Sequence, residues 1–416
     1  MFRGLLLFAL MSVCVIAHAE PLSFQNALER ATQAAPDIAQ HNAAVEAAQS
    51  RAVAAGRLPD PKLVVGLQNV PVTGDDRWSL SQDFMTMRQI GFMQEVPNGA
   101  LRHAQSQAAN AESARAEAEE RISVLTVRTG VALAWLDRYY LEQRLSFFDA
   151  LDRENRLFAA AVQAQLASTS VEPADVIAPK QEAADIADRR DELTGEIAKS
   201  KAALARWVGV AADEPLSGEP PPLHIDAAHL RAHVHRHPEL AVWGPMIDTA
   251  QAKVRQAEAM RRPDWGVELA YGDRGTEFSD MVSLQFTVGL PLFRGTRQNP
   301  RIAAERRELS AVENEREAML REHAQALDAQ LAEFDVITRQ LARARETRIP
   351  LAQDKVRYQF ASYRAGKTNL SGVLEARREL IDQQLRELEL QARQVKNAAA
   401  LYFTYGDGAV STESAP

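Results

Sequence analysis

The sequence predicts a mainly α-helical chain with a small membrane β-barrel component, built by duplicating one helix–strand–strand–helix unit. Three observations predict it. First, landmarks recur in the same order about 200 residues apart, a period too long for a solenoid repeat and suited to a duplicated domain-sized unit. Pro36-Asp37 returns as Pro238-Glu239, and Arg57-Leu58-Pro59-Asp60 as Arg261-Arg262-Pro263-Asp264. Ala174-Asp175-Val176-Ile177 returns as Ser371-Gly372-Val373-Leu374, and Trp207-Val208-Gly209 as Thr404-Tyr405-Gly406. Second, residues 98–167 run without a proline or a turn cluster, which predicts one helix on the order of 105 Å long at 1.5 Å per residue. Third, four short segments alternate apolar and polar side chains with period two.

The elements follow in order. Residues 1–19 read as a secretory signal, with Arg3 as the charged start, Leu5 to Ile16 as the apolar stretch and Ala17-His18-Ala19 as the cleavage site. The apolar stretch is too short to span a bilayer. Cys14, the only cysteine, falls inside it, so the mature chain is expected to have no disulfide and no thiolate metal site. Loss of Arg3 leaves 47 basic against 56 acidic residues, a net charge of −9. That charge argues against a nucleic-acid partner.

The first copy, residues 20–208, begins with an Ala-, Gln- and Glu-rich helix over 23–57, stopped by Leu58-Pro59-Asp60-Pro61. Two strands follow. In the first, Leu63, Val65 and Leu67 alternate with Val64, Gly66 and Gln68. In the second, Ile90, Phe92 and Val96 alternate with Gln89, Gly91 and Glu95. The long helix comes next, with Gly130 as its one weak point and a small-residue stripe at Ala104, Ala108, Ala111, Ala114 and Ala118 that permits close helix approach. After Ser168-Thr169-Ser170 another helix is expected over 173–208.

Residues 209–226, with Pro215 and Pro220-Pro221-Pro222, read as a linker. The second copy, 227–406, predicts helices over 227–260, 300–365 and 370–405, the middle one kinked at Pro350. Its strands alternate Trp265, Val267, Leu269 and Tyr271 with Gly266, Glu268, Ala270 and Gly272, then Val282, Leu284, Phe286 and Val288 with Ser283, Gln285 and Thr287. Residues 407–416 read as a disordered tail.

No stretch after the signal is apolar enough for a transmembrane helix, whereas strands of this length and alternation suit a barrel with one lipid face and one lumen face. Four strands cannot close a barrel, since the smallest type has eight, and open edges are not tolerated in lipid. Several chains must contribute. Three give twelve strands and an aqueous lumen.

A duplicated unit of this size with such long helices resembles the TolC family of outer-membrane efflux factors, over about residues 23–406. Its most specific marks are two helix–turn–helix segments. One is Tyr363-Arg-Ala-Gly-Lys-Thr-Asn-Leu-Ser-Gly-Val-Leu-Glu-Ala376 and the other Ser168-Thr-Ser-Val-Glu-Pro-Ala-Asp-Val-Ile177. The first tip departs from the family's pattern, with Ser168 and Thr169 in place of the usual glycine. The resemblance implies a homotrimer with a twelve-stranded barrel among outer-membrane lipid and a helical tunnel in the periplasm. It also implies docking to a periplasmic adaptor protein and an inner-membrane resistance–nodulation–division pump. The chain's length resembles the heavy-metal branch, which serves copper and silver or cobalt, zinc and cadmium.

No catalytic constellation, P-loop, HExxH or GxSxG is present, so the expectation is a passive channel without enzymatic activity or cofactor. Asp175 and Glu375 match acidic positions at the family's periplasmic entrance, where three-fold symmetry turns each into a ring that favours cations. The alternative for both is a solvated helix-terminus acid. Tyr363 and Lys367 match the region that links neighbouring helices in the closed entrance. Met85, Met87 and Met93 share parity with the polar side of their strand, as Met281 does on its own. Thioethers suit Cu(I) or Ag(I) better than Zn(II), against the alternative of adaptable packing. The Asp83–Met93 segment also looks like the copper- and silver-associated members, which favours that cargo over zinc, cobalt, cadmium or drugs. His229, His233, His235 and His237 crowd one segment of the second copy, with His229 and His233 spaced i,i+4 as a metal pair can be. The competing classes are a periplasmic coiled-coil adaptor and a structural envelope protein. Neither needs two full helix–strand copies with polar-faced strands.

Overall fold

A computed structural model describes residues 21–166, 177–368 and 370–406. The signal segment, the first tip turn with Asp175, and the tail lie outside the described residues. The chain forms two compact units. Among the described residues, one draws on 21–35, 127–225 and 333–400, the other on 36–126, 226–332 and 401–406. Helices α3 (Gly99–Leu166), α8 (Asn299–Arg343) and α10 (Leu370–Tyr405) contribute to both.

The first unit starts with the two-residue strand β1 (Leu22–Ser23) and helix α1 (Phe24–Ala34). The Ser23 hydroxyl caps α1 by accepting the Asn26 amide at 3.1 Å. The helix expected over 23–57 is broken here. Ala35 is extended, and a second helix, α2 (Pro36–Ala54), begins at the proline. The reason is local: a residue before proline is pushed out of the helical region, and Pro36 at the first helical position has no amide to leave unsatisfied.

Trp135 is fully buried. The indole donates to the Leu22 carbonyl at 3.0 Å, meets Phe24 edge-on and stacks on Tyr139. Gly130 is a contact rather than a weak point, because a Cβ there would stand 2.4 Å from the Trp207 ring. Helix α4 (Ala178–Val208) packs Ile186, Leu193 and Ile197 on Phe148 and Leu151 of α3, with Ile381 and Leu385 of α10 closing over them.

The Pro-rich stretch between the copies is held. Its 3₁₀ turn Gly209–Asp213 buries Ala211 and Ala212, the buried Arg138 guanidinium donates to the Ala212 carbonyl at 2.6 Å, and β4 (Leu216–Ser217) pairs in parallel with β1.

In the second unit the helix expected over 227–260 is divided into α5 (Ala227–His233), a 3₁₀ turn Val234–Arg236, α6 (Pro238–Ala241) and α7 (Trp243–Ala259). His237-Pro238 breaks it as Ala35-Pro36 breaks the first copy. Every seventh residue of the small-residue stripe, Ala104, Ala111 and Ala118, is buried.

Four strands form one antiparallel sheet in the order β2 (Lys62–Gln68), β3 (Met87–Val96), β5 (Trp265–Asp273), β6 (Met281–Val288). The register aligns Leu63 with Phe92, Phe92 with Leu269, and Leu269 with Leu284. The expected apolar parities therefore fall on one face. The other face carries Lys62, Met93, Glu268 and Gln285 in one row, and Val64, Gly91, Ala270 and Ser283 in the next. Gly91 is required there, since a Cβ would meet that of Ala270 at 2.8 Å. Asn98 joins sheet to helix: its side chain accepts the Leu101 amide at the start of α3 while its own amide reaches Asp264 at 2.7 Å.

A π turn, Ala344–Arg348, precedes α9 (Ile349–Arg364), one residue before Pro350. Pro350 cannot donate to the carbonyl four residues back and its ring crowds that carbonyl. The widened turn accommodates both, at the place where a kink is expected. Among the described residues, no helix is long and apolar enough to cross a membrane.

Candidate functional site

The sheet inverts the arrangement of a water-soluble protein. Its apolar face is bare: Val65 is 70% exposed, Phe92 64%, Val282 70% and Phe286 66%. Its polar face is the more occluded on the central strands, where Gly91, Gly266, Ala270 and Gly272 are buried and Met87, Gln89 and Met93 are half-buried. The outer edges of β2 and β6 have no strand partner within the sheet.

The methionines divide. Met87 and Met93 lie on the polar face of β3, and Met281 on that of β6 opposite Gly272. The Met87 sulfur leans over Gly272, 3.2 Å from where a Cβ would stand. Met93 is six residues along the strand, roughly 20 Å away at 3.3 Å per residue, so Met87 and Met93 do not share one ion. Met85 does not continue the parity of β3. It sits in the turn before the strand, where its amide donates to the Asp83 carboxylate at 2.7 Å.

Around the second helix–turn–helix tip, α9 closes with Gly366 in the left-handed region at φ 69°. The Gly366 amide donates to the Tyr363 carbonyl and the Lys367 amide to the Ser362 carbonyl, each at 2.9 Å, a cap that satisfies the last turn. Tyr363 is half-buried against the cluster of Val162, Leu370 and Val373, and Lys367 is exposed. Glu375 is exposed on α10, one turn before Glu379, which accepts from Lys355 at 2.6 Å. That bond, then the charge of Glu379 and that of Glu375, raise the Lys355 pKa. Asp175 lies outside the described residues.

Sequence reasoning missed the arginines beside this tip. Arg378 donates to Glu182 at 2.9 Å and stands 3.6 Å from Asp185, and Glu182 raises its pKa. Arg377 meets Glu154 at 2.9 Å. These pairs join residues distant in the chain, and no spacing rule reveals them.

The histidines also divide. His229 and His233 face each other on α5 with ring centroids 4.2 Å apart, and His233 Nδ1 lies 2.8 Å from the His229 carbonyl. His235 lies 6.3 Å from His233 by centroid. His237 turns away from all three and is buried against His323, 4.1 Å between centroids, and Tyr405.

The fold is that of outer-membrane efflux channels. The crystal structure of CusC matches with a TM-score of 0.77 at 15% identity over 92% of each chain. That of VceC from Vibrio cholerae matches at 0.76 and 20% identity over 92% of this chain and 96% of that one. The open state of the MtrE channel from Neisseria gonorrhoeae matches at 0.73 and 15% identity over 93% of this chain and 89% of that one. Residues 232–407, essentially the second copy, match the family model described as Outer membrane efflux protein. The match is to a transport family, not to an enzyme family. No curated protein matches the chain by sequence.

Proposed function

We propose that three copies of this chain form the outer-membrane duct of a tripartite efflux pump. In this reading each copy supplies four strands to a twelve-stranded barrel, and its helices supply a third of a periplasmic tunnel. The observation that carries the reading is the exposed apolar face of a sheet whose polar face is the more occluded one on its central strands. In water such a face would be buried on a core. Against lipid it is already in its solvent, and edges such as those of β2 and β6 must be closed by neighbouring chains. The fold likeness and the family match support the same reading. The duct supplies passage only. A periplasmic adaptor and an inner-membrane resistance–nodulation–division pump supply docking and energy.

The cargo we propose is a heavy-metal cation, with Cu(I) and Ag(I) ahead of zinc, cobalt and cadmium. Met87, Met93 and Met281 on the polar face would offer soft, thiol-free contacts along the lumen. Their separation suits successive weak contacts better than one tight site, as conduction requires. Deleting the chain is expected to sensitise cells to silver and copper more than to bulky drugs. Replacing Met85, Met87 and Met93 together by Leu retains bulk and removes sulfur, and is expected to lower silver tolerance in a growth assay. Wild-type tolerance in that variant would make the thioethers packing only. Loss of zinc, cobalt or cadmium tolerance alone on deletion would change the metal and leave the duct.

A further inference from the structure

We infer that His237, Glu239 and His323 form a binding site for a resident divalent cation of the zinc type. Three side chains from two elements converge in the second unit. His237 precedes α6, Glu239 is in its first turn, and His323 reaches in from α8. One ligand atom from each lies within 4.8 Å of the other two. Around a tetrahedral ion with bonds of about 2.0–2.1 Å, ligand atoms stand roughly 3.3 Å apart, so the set needs only a modest contraction. Two imidazoles and one carboxylate are an established donor set for zinc with a fourth position left open. They suit a borderline divalent ion better than the soft monovalent ions proposed as cargo.

A second observation points to a ligand independently. His237 is 4% exposed and His323 9%. The Nε2 atom of each is shielded from solvent and has no hydrogen-bond partner. Buried imidazole nitrogens are normally satisfied, and two without a hydrogen bond in one cluster call for an explanation. His323 Nε2 stands 3.0 Å from the Glu239 carboxylate, off the line of a hydrogen bond. In the unloaded chain His237 Nδ1 accepts the Glu239 amide at 3.2 Å, which places the ring proton on Nε2. Coordination through Nε2 takes the other tautomer and exchanges this long bond for a metal bond.

The i,i+4 pair His229–His233 is the competing surface site. The Nδ1 of His233 is engaged by its own helix, and the metal-type cluster among the described residues is that of His237, Glu239 and His323. A cation at His237, Glu239 and His323 would clip α8 to the start of α6. It is independent of the cargo, so its failure would leave the duct reading untouched.

The test uses the tag-free full chain, purified in detergent and stripped with chelator, titrated with zinc by calorimetry and with Co(II) by visible absorption. The expected result is one ion per chain and a tetrahedral Co(II) spectrum. Glu239→Gln and His323→Gln should each weaken binding at least about tenfold, the scale commanded even by outer partners of metal sites. The His229→Gln/His233→Gln double variant should bind as wild type. Glu239 is half exposed, so Glu239→Gln leaves the core intact and keeps the test decisive should His323→Gln misfold. No stoichiometric binding by wild type overturns the inference. So does full binding by Glu239→Gln, or loss of binding in the His229/His233 variant.

Discussion

Single residues carry different weights at the tip and in the core. Glu375 is exposed and lies within the field of Lys355, so one carboxylate per chain is partly compensated. A ring of three, with Asp175 adding three more, would restore the negative field in a narrow opening. Replacing Asp175 and Glu375 together by Ala is expected to reduce cation preference in planar-bilayer recordings, with Glu375→Ala alone giving the smaller change. Unchanged selectivity in the double variant would make both ordinary surface acids. The helix end between Tyr363 and Lys367 was legible in the sequence because Gly366 announces it, whereas the two residues themselves stand on a family resemblance. His323 was not. It meets His237 only through the packing of α8 on the segment before α6, and nothing in either local sequence signals the other. Met85 does not follow the parity of β3 because the turn held by Asp83 precedes the strand, and alternation has no meaning there.

At the level of elements, the strands were legible to within about two residues because alternation is a backbone property. Their register could be anticipated only as shared parity. The first copy's long helix was legible because nothing interrupts it, and the break in the second copy's because Pro350 marks it. The errors lay at Pro36 and Pro238, where Ala-rich or periodic flanks suggested one helix and the proline divided it. The role of Gly130 was hidden because its partner, Trp207, lies at the far end of α4. Gly130→Ala decides between two effects. Helix propensity favours alanine by about 1 kcal/mol, while overpacking costs about 1–3 kcal/mol. A Cβ at 2.4 Å from an aromatic ring is far inside contact distance, and overpacking should win. Thermal unfolding in detergent is expected to show a lower Tm for Gly130→Ala, recovered in part by adding Trp207→Leu. A raised Tm would mean that the ring moves aside freely.

For the whole molecule, the duplication, the four strands and the need for several chains were readable from the sequence, but which edges would meet was not, because in the proposed assembly they lie on different copies. The bare apolar face of the sheet and the free edges of β2 and β6 are incomplete as a single chain. They become complete if β2 of one copy pairs with β6 of the next around a three-fold axis. Native mass spectrometry in detergent is then expected to give mainly trimer. The most direct measurement is edge-strand cross-linking in isolated outer membranes. Cys14 is the only natural cysteine and is replaced first. Leu63→Cys, Val65→Cys or Leu67→Cys on β2 is then combined with Val282→Cys, Leu284→Cys, Phe286→Cys or Val288→Cys on β6, and the membranes are oxidised. The account predicts that at least one combination yields a ladder of covalent monomer, dimer and trimer that ends at trimer. Ladders that end at dimer or run beyond trimer, or no cross-link from any combination, would contradict it.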